Sequence, residues 1–277
     1  MRPALPLLLG LAALCAAGAW WAAPRLAAPP ERIVLGAPPD LPLPPEPPRI
    51  ADGEEYENCL ALLRRDVDEA QRFALAWEAT GGGEGARHCL ALATLGTGEP
   101  ARAAERLERL AAGSRAGNQA RAAIYGQAAQ AWTMAGDGNR AFGAITLALT
   151  LAPFDTELLV DRSVILASRG RYREAMEDLD RVLAIEPERA EALVFKAAAL
   201  RHLDRVEEAR RTVDRALELD PDSAEGLLER GILKQLRGEV LSAQDDWRRA
   251  VELAPDSAAA ELAQQNLALS ELGPARR

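Results

Sequence analysis

Three cysteines and two histidines are the side chains of this 277-residue chain best suited to nucleophilic, redox or metal chemistry. Beyond Cys15, the cysteines are Cys59 and Cys89; His88 lies beside Cys89, and His202 stands apart. No Cys-x-x-Cys or His-x3-His spacing joins them, so the usual framework of a metal site is missing, and no metal or other cofactor is expected. A His88–Cys89 nucleophile pair would need a hydrogen bond between neighbours that point about 100° apart on a helix. The chain has no G-x-S-x-G elbow, P-loop or dinucleotide fingerprint. The run GGGEG at 81–85 follows no strand and precedes no Walker lysine, so it reads as a flexible loop between helices. The acidic clusters EYEN, EDLD and QDD stand at helical spacing among basic residues, the pattern of solvated faces with ion pairs along a helix. No catalytic residue is nominated, and the chain reads as a non-enzyme. Cys59 and Cys89 keep two readings. Either they form a disulfide in an oxidising compartment, closing a loop of about 31 residues and contributing roughly 3–4 kcal/mol, or they are two separately buried thiols.

What must position these residues is helical. Aromatic residues make up only 4% of the chain and charged residues 27%, and alanine and leucine carry much of the apolar share, a composition for close-packed helices. The net charge is −9; setting aside residues 1–25, whose only charges are Arg2 and Arg25, it is −11. An acidic body without a basic patch excludes nucleic acid as the expected partner.

Residues 4–23 (ALPLLLGLAALCAAGAWWAA) run for 20 positions without a charge, the length of a membrane span and also of a signal peptide with its cleavage zone. Residues 1–25 therefore read as a signal peptide, with Ala17 and Ala19 at the cleavage zone, or as a signal anchor rimmed by Trp20, Trp21 and Arg25. Either way the body is exported, periplasmic or held on the inner membrane facing the periplasm, with membrane contact through this segment if it is uncleaved. Residues 26–53 continue as a disordered proline-rich linker; ten of the 18 prolines fall within 24–50. In an extended polyproline conformation it would reach roughly 80 Å. LPLPPEPP (41–48) is also a candidate ligand for another module.

From residue 54 the pattern becomes helical. Pro153, Pro187, Pro221 and Pro255 recur at intervals of 34 residues. Ahead of each stands an alanine (Ala141, Ala175, Ala209, Ala243) with an apolar partner four positions on (Ile145, Leu179, Val213, Trp247). A preceding helix repeats a large slot (Tyr125, Leu159, Leu193, Leu227), a small slot (Ala129, Ser163, Ala197, Gly231) and a second large slot (Trp132, Leu166, Leu200). Lys234 breaks the last series, which predicts a looser or partly exposed first helix in that unit. Two helices of about 13 residues joined by short turns need roughly 34 residues, and neither buries its apolar stripe alone.

This pattern resembles the tetratricopeptide repeat in its period and its A-x3-F…P signature. The resemblance implies an all-α fold: an α-solenoid of antiparallel helix hairpins in a right-handed superhelix. Four repeats are expected at 122–155, 156–189, 190–223 and 224–257, preceded by two degenerate hairpins at 54–121 and followed by a capping helix at 258–277. Ala103 to Ala141 is four residues longer than the period, and the excess is assigned to the loop GSRAGNQ (113–119).

In such arrays the first helices line a concave groove that takes a peptide or helix. The resemblance places Val160, Val164 and Ser168, then Val194, Ala198, Arg201 and His202, then Leu228, Ile232 and Gln235, in that groove. Relatives that grip acidic tails carry Lys and Asn there, whereas this chain has Gly126 and Gln130, Val160 and Val164, Val194 and Ala198 at the equivalent places. The implied partner is a protein or peptide with an apolar or amphipathic segment. Packing of the same residues against neighbouring helices or a second copy is the alternative, so a homo-oligomer is a further reading. The chain's own RIVLGAPPDLPLPP (32–45) is another possible occupant.

Overall fold

The computed structural model describes residues 49–271. The expected signal or anchor, the linker up to residue 48 and the end of the capping segment lie outside the described residues. Among the described residues there are thirteen α-helices and no strand. The first hairpin is α1 (Glu54–Leu63) with α2 (Val67–Ala79), and the second is α3 (Gly83–Gly96) with α4 (Pro100–Gly113). Next come α5 (Asn118–Met134) with α6 (Gly138–Leu151), and α7 (Thr156–Ser168) with α8 (Tyr172–Ile185). Then follow α9 (Ala190–His202) with α10 (Val206–Leu219), α11 (Ala224–Leu236) with α12 (Val240–Leu253), and the closing α13 (Ala258–Glu271). Each helix packs on its successor, and the first helices α7, α9, α11 and α13 also touch one another in series. That is the arrangement of stacked hairpins.

The helix ends follow from residue type. Ala152, Glu186, Asp220 and Ala254 each precede a proline and leave the helical region, with φ between −123° and −141°, because the proline ring disfavours helical backbone in the residue before it. The turn inside each of the last four hairpins needs a left-handed residue at one fixed place. Gly136, Gly170 and Gly238 supply it at φ 76°, 72° and 81°, and Asp204 holds the equivalent place at φ 61°. The side chains of Asp155 and Ser223 cap α7 and α11 by accepting from the backbone N–H of Leu158 and Gly226.

The recurring alanines Ala141, Ala175, Ala209 and Ala243 are buried, and Ile145, Leu179, Val213 and Trp247 fill the space beside them. The four residues beyond the period lengthen α5 rather than a loop: it starts at Asn118 and runs for 17 residues, one helical turn more than α7, α9 or α11. The run GGGEG is also more structured than a loop, since α3 begins at Gly83. A Cβ on Gly82 or Gly85 would meet the Trp77 ring within 2.7 Å, so these glycines let α2 and α3 approach closely. Ile50, read as part of the linker, is buried against the body, and Arg49 pairs with Glu57.

The expected looseness of α11 is absent. Leu227, Leu228, Gly231 and Leu233 are buried there, and Trp247 packs on Gly231 while its Nε1 donates to the Leu228 carbonyl at 3.2 Å. Lys234 turns its ammonium to Asp246 at 2.7 Å.

Two acidic clusters are likewise not wholly solvated. Asp178 of EDLD is buried and receives a two-pronged contact from Arg162 at 2.6 and 2.7 Å. Asp246 of QDD is held the same way by Arg230 at 2.7 and 2.8 Å. Each pair ties the first helix of a hairpin to its second, and the carboxylate holds its arginine's pKa above the ordinary value.

Candidate partner-binding groove

Cys59, Cys89 and His88 are buried together within the first two hairpins. Cys59 of α1 and Cys89 of α3 are joined by a disulfide, with Cα atoms 6.1 Å apart. One helical position away, His88 is buried and hydrogen-bonded at both ring nitrogens: Nδ1 lies 2.6 Å from the Tyr56 hydroxyl and Nε2 lies 2.7 Å from Gln127 Oε1. With the proton on Nε2, the ring donates to Gln127 and accepts from Tyr56, so one neutral tautomer satisfies the whole chain. Burial holds the His88 pKa below its ordinary value and pushes Tyr56 up to about 12. This relay staples α1, α3 and α5 and is closed to a substrate. Among the described residues no group of three or more His, Cys, Asp or Glu is placed to hold a metal ion.

The first helices α7, α9 and α11 present a different surface. Between α7, the start of α8 and α9 lies a recess of about 310 Å³ whose lining includes Val164, Ala167, Tyr172, Phe195, Ala198 and His202. Almost all of its wall is carbon. The Tyr172 and His202 rings stack with centroids 4.3 Å apart and planes within 1° of parallel, forming one side. Burial, with the nearby Arg201 charge, holds the His202 pKa below its ordinary value, so the wall is uncharged at neutral pH.

Of the residues assigned to the groove, the recess brings together Val164, Ser168, Ala198 and His202. Val160 and Leu228 lie instead in the packed core. Arg201 is committed to an inter-repeat ion pair, with its Nε 2.6 Å from buried Glu229. Ile232 is half-buried and Gln235 exposed, one repeat beyond the recess.

Phe195, Ala167 and Tyr172 were not assigned to the groove. Phe195 could have been found as the aromatic residue directly after Val194, one position off the slots used; Tyr172 belongs to a second helix, where the repeat pattern points to core packing.

A second hollow of about 320 Å³ shares Phe195 with the first and is lined by Glu191, Val194, Asp220, Ser223 and Glu225. Val194, assigned to the groove, is therefore at this hollow and not in the apolar recess. Further along α7, Asp161 accepts from the Gln130 amide at 3.0 Å. Burial pushes its carboxyl above the usual range against that hydrogen bond, and Glu157, Glu191 and Asp155 add to the rise. This end of the first helices is acidic.

Residues 166–229 match the family model of the tetratricopeptide repeat. No curated protein sequence matches the chain. Among solved structures the fold is similar to that of PilF from Pseudomonas aeruginosa, with a TM-score of 0.57 and 18% identity over 76% of this chain and 95% of that one. It is also similar to MamA, residue 41 to the end, from Desulfovibrio magneticus RS-1, with a TM-score of 0.51 and 18% identity over 75% and 99% of the two chains. A chain of the APC/C hetero-tetramer Cut9–Hcn1 gives 0.58 and 16% identity, over 77% of this chain and 42% of that one. At these identities the likeness is one of fold. Residues 166–229 thus carry tetratricopeptide repeats, and the 34-residue pitch and stacked helical hairpins continue the same architecture on either side of them.

Proposed function

We propose that the protein is a non-catalytic adaptor that holds an apolar or amphipathic segment of a partner protein against its first helices. The fold is typical of protein–protein interaction scaffolds, and a chain of similar fold belongs to the Cut9–Hcn1 hetero-tetramer. The observation that carries the reading is the recess between α7 and α9. It is open and apolar, and four residues of the expected groove converge on it. The same proposal places the body outside the cytoplasm, where the Cys59–Cys89 disulfide is favoured and to which the uncharged run at 4–23 would direct it. Among the described residues no helix is long and apolar enough to cross a membrane, so any anchor would be residues 1–25.

The test is a pair of charges placed on this face. Val164 is 39% exposed and Ile232 half-buried, so Val164→Glu with Ile232→Glu should abolish partner capture while leaving the helical circular dichroism unchanged. Capture unaffected by both charges would refute the assignment. Light scattering across concentration separates the adaptor from a self-assembling array, for which the same two charges should dissolve the oligomer.

A further inference from the structure

We infer that the segment held by this face carries a large apolar side chain and, two to four residues away, a lysine or arginine. The inference rests on the adaptor reading and names the chemistry of its partner. Two hollows of nearly equal size, about 310 and 320 Å³, share Phe195 in their lining and differ in character. The first is walled by Val164, Ala167, Ala198 and the Tyr172–His202 stack. The second has three carboxylates on its lining, Glu191, Asp220 and Glu225, and no cation. Glu191 is engaged by Arg189 at 2.8 Å, whereas Asp220 and Glu225 have no ion-pair partner among the described residues.

Charge complementarity decides the occupant. The two carboxylates without an ion-pair partner, Asp220 and Glu225, give this hollow a negative potential that a partner's cation relieves and a partner's carboxylate worsens. The net charge of −9 adds to the steering of a basic segment. The aliphatic stem of a lysine or arginine can cross the Phe195 ring on its way to the acids, keeping its charge at the ring face or beyond it. An apolar group in the second hollow would displace water from these exposed carboxylates and offer them no charge in return.

The register follows from the shared wall. Side chains that straddle one ring are about 7 Å apart when they stand at i and i+2 of an extended strand, and about 5–6 Å apart at i and i+3 or i+4 of a helix. Because both hollows share the Phe195 wall, a separation of two to four residues is the register inferred for the segment. A tail rich in Asp and Glu is the wrong ligand for this face.

The test is selection of random twelve-residue peptides displayed against the immobilised full chain, followed by anisotropy titration of the winning synthetic peptide. The expected consensus is a Leu, Phe, Met or Trp with Lys or Arg two to four positions away. Glu225 is exposed and outside any ion pair, so Glu225→Lys should weaken the winner about fivefold without loss of helicity. Exchanging the peptide's basic residue for Glu should restore binding to that variant. Ala198→Glu, or Val164→Glu if the former folds poorly, should remove binding altogether. A winner that needs the apolar recess but is indifferent to Glu225→Lys and to its own charge overturns this inference and leaves the adaptor reading standing. Winners that bind the Ala198→Glu and Val164→Glu variants unchanged, or no winners at all, overturn both.

Discussion

Gly231 is where a single methyl group reports most sharply on how the last repeat is packed. A Cβ at this position would lie 2.6 Å from Cδ1 and 2.9 Å from Cε2 of Trp247. The ring cannot step aside: it is fully buried and its Nε1 is tied to the Leu228 carbonyl at 3.2 Å. Alanine in place of glycine inside a helix contributes about 1 kcal/mol by propensity. Overpacking of a filled core costs about 1–3 kcal/mol. Gly231→Ala should therefore destabilise the wild-type protein by up to about 2 kcal/mol, against the propensity gain. In a Trp247→Leu background the obstructing ring is gone, and the same substitution should stabilise by about 1 kcal/mol. The coupling between the two positions is then about 1–3 kcal/mol, the overpacking cost itself, within the range for residues in direct contact. Urea titration followed by circular dichroism measures the four proteins of the cycle, and amide exchange in α11 and α12 localises the change. If Gly231→Ala has the same sign in both backgrounds, the packing argument is wrong.

Other perturbations address the remaining parts of the molecule. Reducing the Cys59–Cys89 bridge should lower stability by roughly 3–4 kcal/mol in the chain-entropy model, with faster amide exchange confined to α1–α3 and little change in α9–α13; a uniform increase would contradict the nearest-neighbour character of the stack. Asp204 occupies a left-handed turn position that glycine fills in the other repeats, so Asp204→Gly should raise stability by up to about 1 kcal/mol, read as a higher urea midpoint. His88 has a folded pKa below 6.5, so the unfolded chain takes up its proton first as pH falls. Stability should therefore drop as pH decreases from 6.5 toward the folded value. In His88→Gln the dependence between pH 7 and 5 should be shallower, and an identical slope would remove His88 as its source.

The pitch of the array was legible because it is written locally. A helix that must stop before Pro187 or Pro221, and an alanine that must touch its hairpin partner, repeat at the same interval wherever the chain is read. The ends of α5 and α3 were less legible: four extra residues can lengthen a helix or a loop, and glycines that look like a hinge can instead admit an indole. The ion pairs at Asp178 and Asp246 were missed for a related reason. A carboxylate at helical spacing looks the same whether it meets water or an arginine 16 positions back, as Arg162 and Arg230 are. The groove was half legible. Repeat position gave Val164, Ser168, Ala198 and His202, but only the packed fold shows Val160 and Leu228 to be core. Phe195, the wall between the two hollows, is an ordinary aromatic residue until its neighbours are in place.

The central claim is that partners are held on the face of the first helices, and site-specific photocrosslinking in the native host tests it most directly. A crosslinker at Val164 or Ile232 should trap a discrete partner, and one at exposed Arg248 on α12 should not. Trapping from Arg248 alone, or equally from all three positions, would contradict the account.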